Sequence, residues 1–423
     1  MRKLLFTTLL LLALPLTVIA QSDADAAPIS PELALHLDGI EQIVIDLRGL
    51  QPTAAVTRGF PSREEVSEFL MTSITEQLSE DIVREADAFY VAFDFIEPGT
   101  DIVGVYIGLL QDQVAGYYDT ETQVMNTILM SGAELGDSLP LLEQTIYAHE
   151  YTHALQDQIF DLESLGFDPD ADMSDVNTDA FLAVQSLIEG DATITMSLFV
   201  EEAITRNPRL ALGALSLLAD PSLTAMPEGT PPILMSELEF PYFAGASFVS
   251  TLIEQGGWAR VDEAFTNLPA SSEHIIHPET YLNGDMPQIV TVATSPLDAD
   301  WTAVTDGVFG EFYLREYLRL HLDRATADDA AAGWGGDTYQ VYESGTGDLA
   351  FTLRVAWDAP EEAAAFLAAF NTYGDTRNGD TRDGECWVGA DALCAAKTPN
   401  GDTVITNGPT LAVATALLSA ETR

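Results

Sequence analysis

Positive charge is what this chain has least of: 17 lysines and arginines stand against 67 aspartates and glutamates, a formal net charge of −50 over 423 residues. Such a surface repels phosphate backbones, which excludes nucleic acid as a partner. Salt screens its self-repulsion, which fits a saline habitat. Disorder does not follow, because the hydrophobic fraction of 47% is that of an ordinary folded protein. Cysteine is almost missing. Cys386 and Cys394 are the two in the chain, and an even count in an oxidising compartment predicts a disulfide that staples a short C-terminal loop. A cysteine nucleophile is the weaker reading, since neither has a histidine close in sequence. Past the N-terminus there is no uninterrupted apolar run long enough to span a bilayer.

The early apolar run, Leu4 to Ile19, follows Met1-Arg2-Lys3 and ends in Val18-Ile19-Ala20, so residues 1–20 read as a secretory signal peptide with Gln21 near the mature N-terminus. The run has no cysteine after it, which argues against a lipoprotein anchor; an uncleaved N-terminal anchor is the alternative. The expectation is a secreted or periplasmic protein that is not an integral membrane protein once the signal is cleaved.

Residues 21–60 form an N-terminal extension, 61–325 a catalytic domain and 333–423 a C-terminal module, because composition changes sharply between Ala325 and Gly336. Upstream, Ser62 to Phe89 reads as one long amphipathic helix and Asp101 to Gln113 as a shorter one. Val114 to Ile128, with a polar turn at Thr120 to Thr122, reads as a β-hairpin. Downstream, strands at Thr338 to Tyr342 and Leu349 to Trp357, a helix from Pro360 to Tyr373, a hairpin around Asn400-Gly401 and a helix from Thr410 to Ala420 make a small α+β module. The fold class is therefore α+β: a mostly helical domain with a small sheet, then the module.

Histidine is scarce too, six in all, and two of the six fall in His149-Glu150-Tyr151-Thr152-His153. On the helix predicted from Leu141 to Phe160, residues four apart share a face, so His149 and His153 can hold one metal ion. Glu150 can then lean toward a water on that ion and act as general base. Catalytic zinc uses three protein ligands and an open position, so a third must come from elsewhere. Glu189 is the best candidate: it is a carboxylate inside the apolar helical run Ala180 to Thr193, where an isolated charge would be costly and a metal removes that cost. A surface glutamate, or another ligand such as Asp191, is the alternative.

The order His149-Glu150-x-x-His153, Glu189-Gly190 and Tyr242-Phe243-Ala244-Gly245 resembles the gluzincin-type metallopeptidases, the thermolysin and peptidase-MA-like superfamily. The stretch His149 to Gln158 is most similar to a group of secreted bacterial proteins, and the resemblance spans roughly Pro61 to Leu322. It implies a zincin-like domain, Zn2+ and hydrolysis of a peptide or protein substrate, with a strand at the cleft edge, here Val114 to Tyr118, pairing with extended peptide. It also implies a histidine or tyrosine C-terminal to the ligands that steadies the oxyanion, and His277 and Tyr281 are the choices, with structural packing the alternative. His274 and His277 could instead bind a second metal. The metzincin extension is ruled out by Gln156 and Ile159.

Two departures stand out. Where thermolysin-like enzymes carry an aspartate that orients the first zinc histidine, this chain has Thr193, leaving Asp191 or Asp157 for the task. The interval to Glu189 also holds an acidic loop, Asp168 to Asp179, whose alternating acids hint at calcium, although Met173 stands where an EF-hand needs glycine. Arg315 and Arg319, one turn apart, could take a substrate carboxylate or form surface ion pairs. The other function classes to be kept beside a zinc metallopeptidase are a non-catalytic zinc-containing binding protein and a zinc hydrolase acting on a non-peptide bond.

Overall fold

Ser30 begins the first described element by accepting a hydrogen bond from the Leu33 amide at 3.1 Å, with Pro31 pre-set in the first helical position. The computed structural model describes residues 29–77, 79–130, 135–166, 177–211, 229–379 and 381–423. The signal-peptide segment 1–20 and most of the acidic loop with its calcium reading lie outside the described residues. Helix α1 (Pro31–Arg48) ends at Gly49, whose φ of 84° suits the left-handed closing turn. Its Leu33, Leu37, Ile40 and Val44 are buried with Tyr147, Tyr151, Leu155 and Phe199 in one apolar cluster.

Strand β1 (Thr57–Gly59) leads into a correction. The stretch expected as one helix from Ser62 to Phe89 is two, α2 (Arg63–Gln77) and α3 (Glu80–Ala92). Ser79 caps the second, accepting from the Ile82 amide at 3.4 Å with Glu80 and Asp81 in the next turn. A serine followed by acids is a helix start, and here it overrides an apolar rhythm that runs straight through it. Helix α4 (Ile102–Gln113), capped by Asp101, precedes the hairpin β2 (Gly116–Asp119) and β3 (Val124–Thr127). The three strands order β1-β3-β2, so β2 is an edge. Three long helices follow: α5 (Leu141–Phe160), α6 (Thr178–Arg206) and α7 (Pro232–Gly256). Short helices α8 (Trp258–Ala264), α9 (Ser272–Ile276) and α10 (Pro278–Asn283) complete the mostly helical region.

The C-terminal part is a seven-stranded antiparallel sheet, β4 (Trp301–Gly307), β5 (Trp334–Ser344), β6 (Leu349–Trp357), β7 (Arg382–Asp383), β8 (Cys386–Val388), β9 (Ala392–Lys397) and β10 (Thr403–Gly408), in the order 4-5-6-10-9-8-7. Helices α11 (Gly310–Arg319) and α12 (Arg324–Ala331) lie between β4 and β5, so the sheet takes its first strand from upstream of Ala325. Period-two alternation sorts its side chains. Leu393, Ala395 and Ile405 face α13 (Pro360–Asn378) and the helical region, while Cys394 and Val404 face α14 (Leu411–Glu421). Cys386 and Cys394 sit opposite each other in register and form a disulfide. The architecture is α+β throughout.

Aromatic rings join the two parts. Phe93 of the turn after α3 lies 4.7 Å from Phe309 and 4.3 Å from Phe351 of β6, centroid to centroid, with Phe89, Tyr313, Tyr317 and Tyr339 around them. At the same junction buried acids gather. Asp337 accepts from the Phe309 and Gly310 amides at 2.6 and 2.8 Å and from Trp334 Nε1 at 2.6 Å. Asp179 accepts from the Ser272 amide through both oxygens at 3.1 Å. Burial pushes Asp179 up to about 7 and Asp337 up to about 6, while burial with nearby Asp358 and Glu311 pushes Glu273 up to about 9.

Candidate metal centre

Three helices build the site, and two glycines decide how closely they can do so. A Cβ on Gly190 of α6 would overlap the backbone of Gly245 in α7, and one on Gly245 would overlap the Ser186 carbonyl. The helices therefore cross backbone to backbone beside Glu189, which brings Tyr242, one turn before Gly245, up to the cluster. Helix α6 is capped by Asn177, whose side chain accepts from the Asp179 and Ala180 amides, and it carries Glu189 in full burial.

His149 and His153 lie one turn apart on α5 and are both buried. Their Nε2 atoms are 3.0 Å apart, and Glu189 Oε2 stands 3.2 Å from the first and 3.5 Å from the second. Three ligands of a tetrahedral ion with bonds of about 2.0–2.1 Å would stand about 3.3–3.4 Å from one another. The donor set and spacing thus fit a divalent metal ion, and among the described residues this is the one such group of histidines, cysteines and acids. Electrostatics agrees. Burial would raise Glu189, yet His153 and His149 hold it down at about 2. Burial would lower His153, yet Glu189 and Glu150 hold it up at about 9. The pocket favours positive charge against its carboxylate.

Glu150 is buried on the next position of α5, its carboxyl raised by burial against the opposing pull of the two histidines. Gly116, the first residue of edge strand β2, packs on its stem: a Cβ there would come 2.9 Å from Glu150 Cγ. Tyr242 stacks on the His149 ring at 6.0 Å between centroids, and burial, then Glu189 and Glu150, raise its phenol well above the usual range.

Neither acid proposed to orient a zinc histidine touches one. Asp157 accepts from Tyr118 Oη at 2.9 Å and from the Leu162 amide. Asp191 instead accepts from Gln156 Nε2 at 2.9 Å, and it is Gln156 Oε1 that meets His153 Nδ1, at 2.8 Å. His149 Nδ1 is buried without a hydrogen-bond partner. Both residues lie within one turn of His153, and their partners separate them: Gln156 bridges His153 to Asp191, while Asp157 is engaged by Tyr118 and the Leu162 amide.

His277 and Tyr281 are not brought to the cluster by any described contact. His277 Nε2 meets the buried Glu311 at 3.0 Å and Arg315, and Tyr281 donates to the Asn267 carbonyl and packs against Phe248 and His274. A second metal on His274 and His277 does not fit, because His274 Nδ1 accepts from the Ala270 amide and Nε2 donates to the Asp285 carbonyl. Arg315 pairs with Glu311, and Arg319 with Glu316 and Asp328, so both are ion-paired. Sequence reasoning missed Tyr242, Gln156 and Arg48. Tyr242 stood in the quoted motif without a role, and Gln156 had served to reject the metzincins. Arg48 carried one weak signal, a charge at the end of an apolar helix in a chain poor in cations.

Residues 299–418 match the model of DUF8575, a domain of unknown function. No curated protein matches this chain. Among solved structures, one from Chloroflexus aurantiacus, described as a "putative hydrolase with a novel fold", is similar with 20% identity over 61% of this chain and 92% of that one. Its TM-score of 0.37 is too low for it to bear on function.

Proposed function

We propose that this chain is an extracytoplasmic zinc metallopeptidase in which His149, His153 and Glu189 hold the metal and Glu150 is the general base. One observation carries the reading. Three donor atoms of a catalytic zinc set stand at ligand spacing in the interior, and a fourth buried side chain, Glu150, adjoins them without being one of them. Zinc held there supplies a Lewis acid that activates water at neutral pH.

The rest is the work of the chain. Glu150, raised by burial, accepts the proton from water and passes it to the leaving amine. Tyr242, whose phenol stays protonated, donates to the developing oxyanion, the role first considered for His277 or Tyr281. Substrate enters along β2. Gly116 lies against Glu150, so an extended peptide that adds to this edge carries its backbone past the base. The disulfide supports a compartment outside the cytoplasm.

The test is digestion of a mixed peptide library by the mature chain with zinc at high salt, read by mass spectrometry beside Glu150→Gln. Chelator-sensitive cleavage is expected from the wild type and none from the variant, which keeps its zinc. No cleavage by either protein, with zinc in both, would overturn the peptidase reading in favour of a non-peptide bond or a binding role.

A further inference from the structure

We infer that Gln156, Asp191 and Arg48 are a chain of positioning residues that holds His153 in its metal-binding form, which makes helix α1 a working part of the metal centre. This rests on the reading of His149, His153 and Glu189 as a metal site. The hydrogen bonds carry the argument. Gln156 Nε2 donates to the Ile188 carbonyl at 3.0 Å and to Asp191 Oδ2 at 2.9 Å, two partners that can only accept. Its other end, the oxygen, is therefore turned toward His153 Nδ1 at 2.8 Å. An oxygen there requires a proton on Nδ1. That leaves Nε2, which faces His149 and Glu189, as the nitrogen that gives up its proton and offers a lone pair when a metal binds.

Asp191 is held in turn. It is fully buried on α6, and its second oxygen receives Arg48 Nε at 2.6 Å. Arg48 is the last residue of α1 and is itself buried, with Nη2 on Asp262 at 2.6 Å and its guanidinium 4.5 Å from the centre of the Trp258 ring. A donor-only cation thus fixes which way Asp191 points, Asp191 fixes which way the Gln156 amide points, and Gln156 fixes the proton on His153. Arg48 and Asp191 are 143 residues apart in sequence, and the metal helix lies between them.

An isosteric change separates this chain from an ordinary buried ion pair. In Asp191→Asn the carbonyl of the new amide must face Arg48, which only donates, so its NH2 faces Gln156. Gln156 then either keeps a donor against a donor or flips and presents NH2 to His153 Nδ1, which drives the His153 proton to Nε2. Removing Arg48 as well frees the asparagine to turn its carbonyl back to Gln156. Zinc affinity measured by chelator competition should fall roughly 10- to 100-fold in Gln156→Leu and Asp191→Asn, with circular dichroism unchanged. The double variant Arg48→Met/Asp191→Asn should bind more tightly than Asp191→Asn alone. Wild-type affinity in a folded Asp191→Asn, or losses that simply add in the double variant, would overturn the inference.

A second readout leaves Gln156, Asp191 and Arg48 unchanged. The chain has six histidines, so in protein labelled with 15N-histidine the His153 resonances are assignable against His153→Asn. The metal-free wild type should show a proton on His153 Nδ1 that is protected from exchange. Zinc uptake without that proton overturns the positioning chain and leaves the metal reading intact. The proton without uptake of any divalent ion overturns the metal reading and leaves only the hydrogen bonds.

Discussion

Asp179 makes the fold weaker as the solution becomes more alkaline, and the size of the effect can be worked out. Its folded carboxyl is pushed from 3.8 up to about 7 by burial. Between those values the unfolded chain has released its proton and the folded chain keeps it. Stability from this group is therefore full below about 4 and lost as pH rises through 7. For one such carboxyl the loss between pH 5 and pH 8 is roughly 2–3 kcal/mol. Asp179→Asn keeps an acceptor for the Ser272 amide and cannot ionise. The assay is urea unfolding of both proteins at pH 5 and pH 8 in 1 M salt, which screens the general charge and leaves the buried one. The wild type should lose roughly 2 kcal/mol more than the variant across that range. Equal pH dependence in the two proteins, or a wild type that gains stability toward pH 8, would refute the argument. Asp337, raised to about 6, contributes in the same direction over a lower window.

Three further outcomes follow from the site. Gly245→Ala should cost about 1–3 kcal/mol by overpacking the helix crossing and should lower turnover as well, because α7 carries Tyr242; thermal melting and peptide cleavage check the two halves. Tyr242→Phe should reduce kcat by roughly 100-fold with metal content unchanged, whereas Tyr281→Phe should leave kcat near wild type; an equal effect of both would remove Tyr242 from the chemistry. Chelation should lower the melting temperature, and added zinc should restore it in a concentration-dependent way, in the wild type but not in His149→Ala.

The parts of the site that were legible in sequence are those set by local geometry. His149, Glu150 and His153 need only the helical repeat, and Glu189 needs only the rule that a carboxylate in an apolar helix wants a partner. The hairpin ahead of α5, and the succession along the chain of β5, β6 and the Asn400-Gly401 hairpin, were readable for the same reason. The break at Ser79 was also local, but it competes with a rhythm that continues across it. What stayed out of reach depends on tertiary approach. Asp157 and Asp191 are equal candidates to orient a histidine until the helices are in place, and the link from Asp191 then runs through Gln156. Tyr242 is brought to the cluster through a crossing at Gly190 and Gly245, whereas the contacts of His277 are with Glu311 and Arg315. No pattern along the chain announces Arg48 as a partner of Asp191.

The aromatic junction at Phe93 bears on the domain that spans residues 299–418. Phe309, Tyr313, Tyr317, Tyr339 and Phe351 all lie inside that span, while Phe89, Phe93 and Phe95, which they pack against, lie outside it. Cut free at its own boundaries, the domain would present a wall of bare rings from α11, β5 and β6 to water and would be expected to self-associate. A protein carrying this domain without the helices needs another apolar lid over the same face.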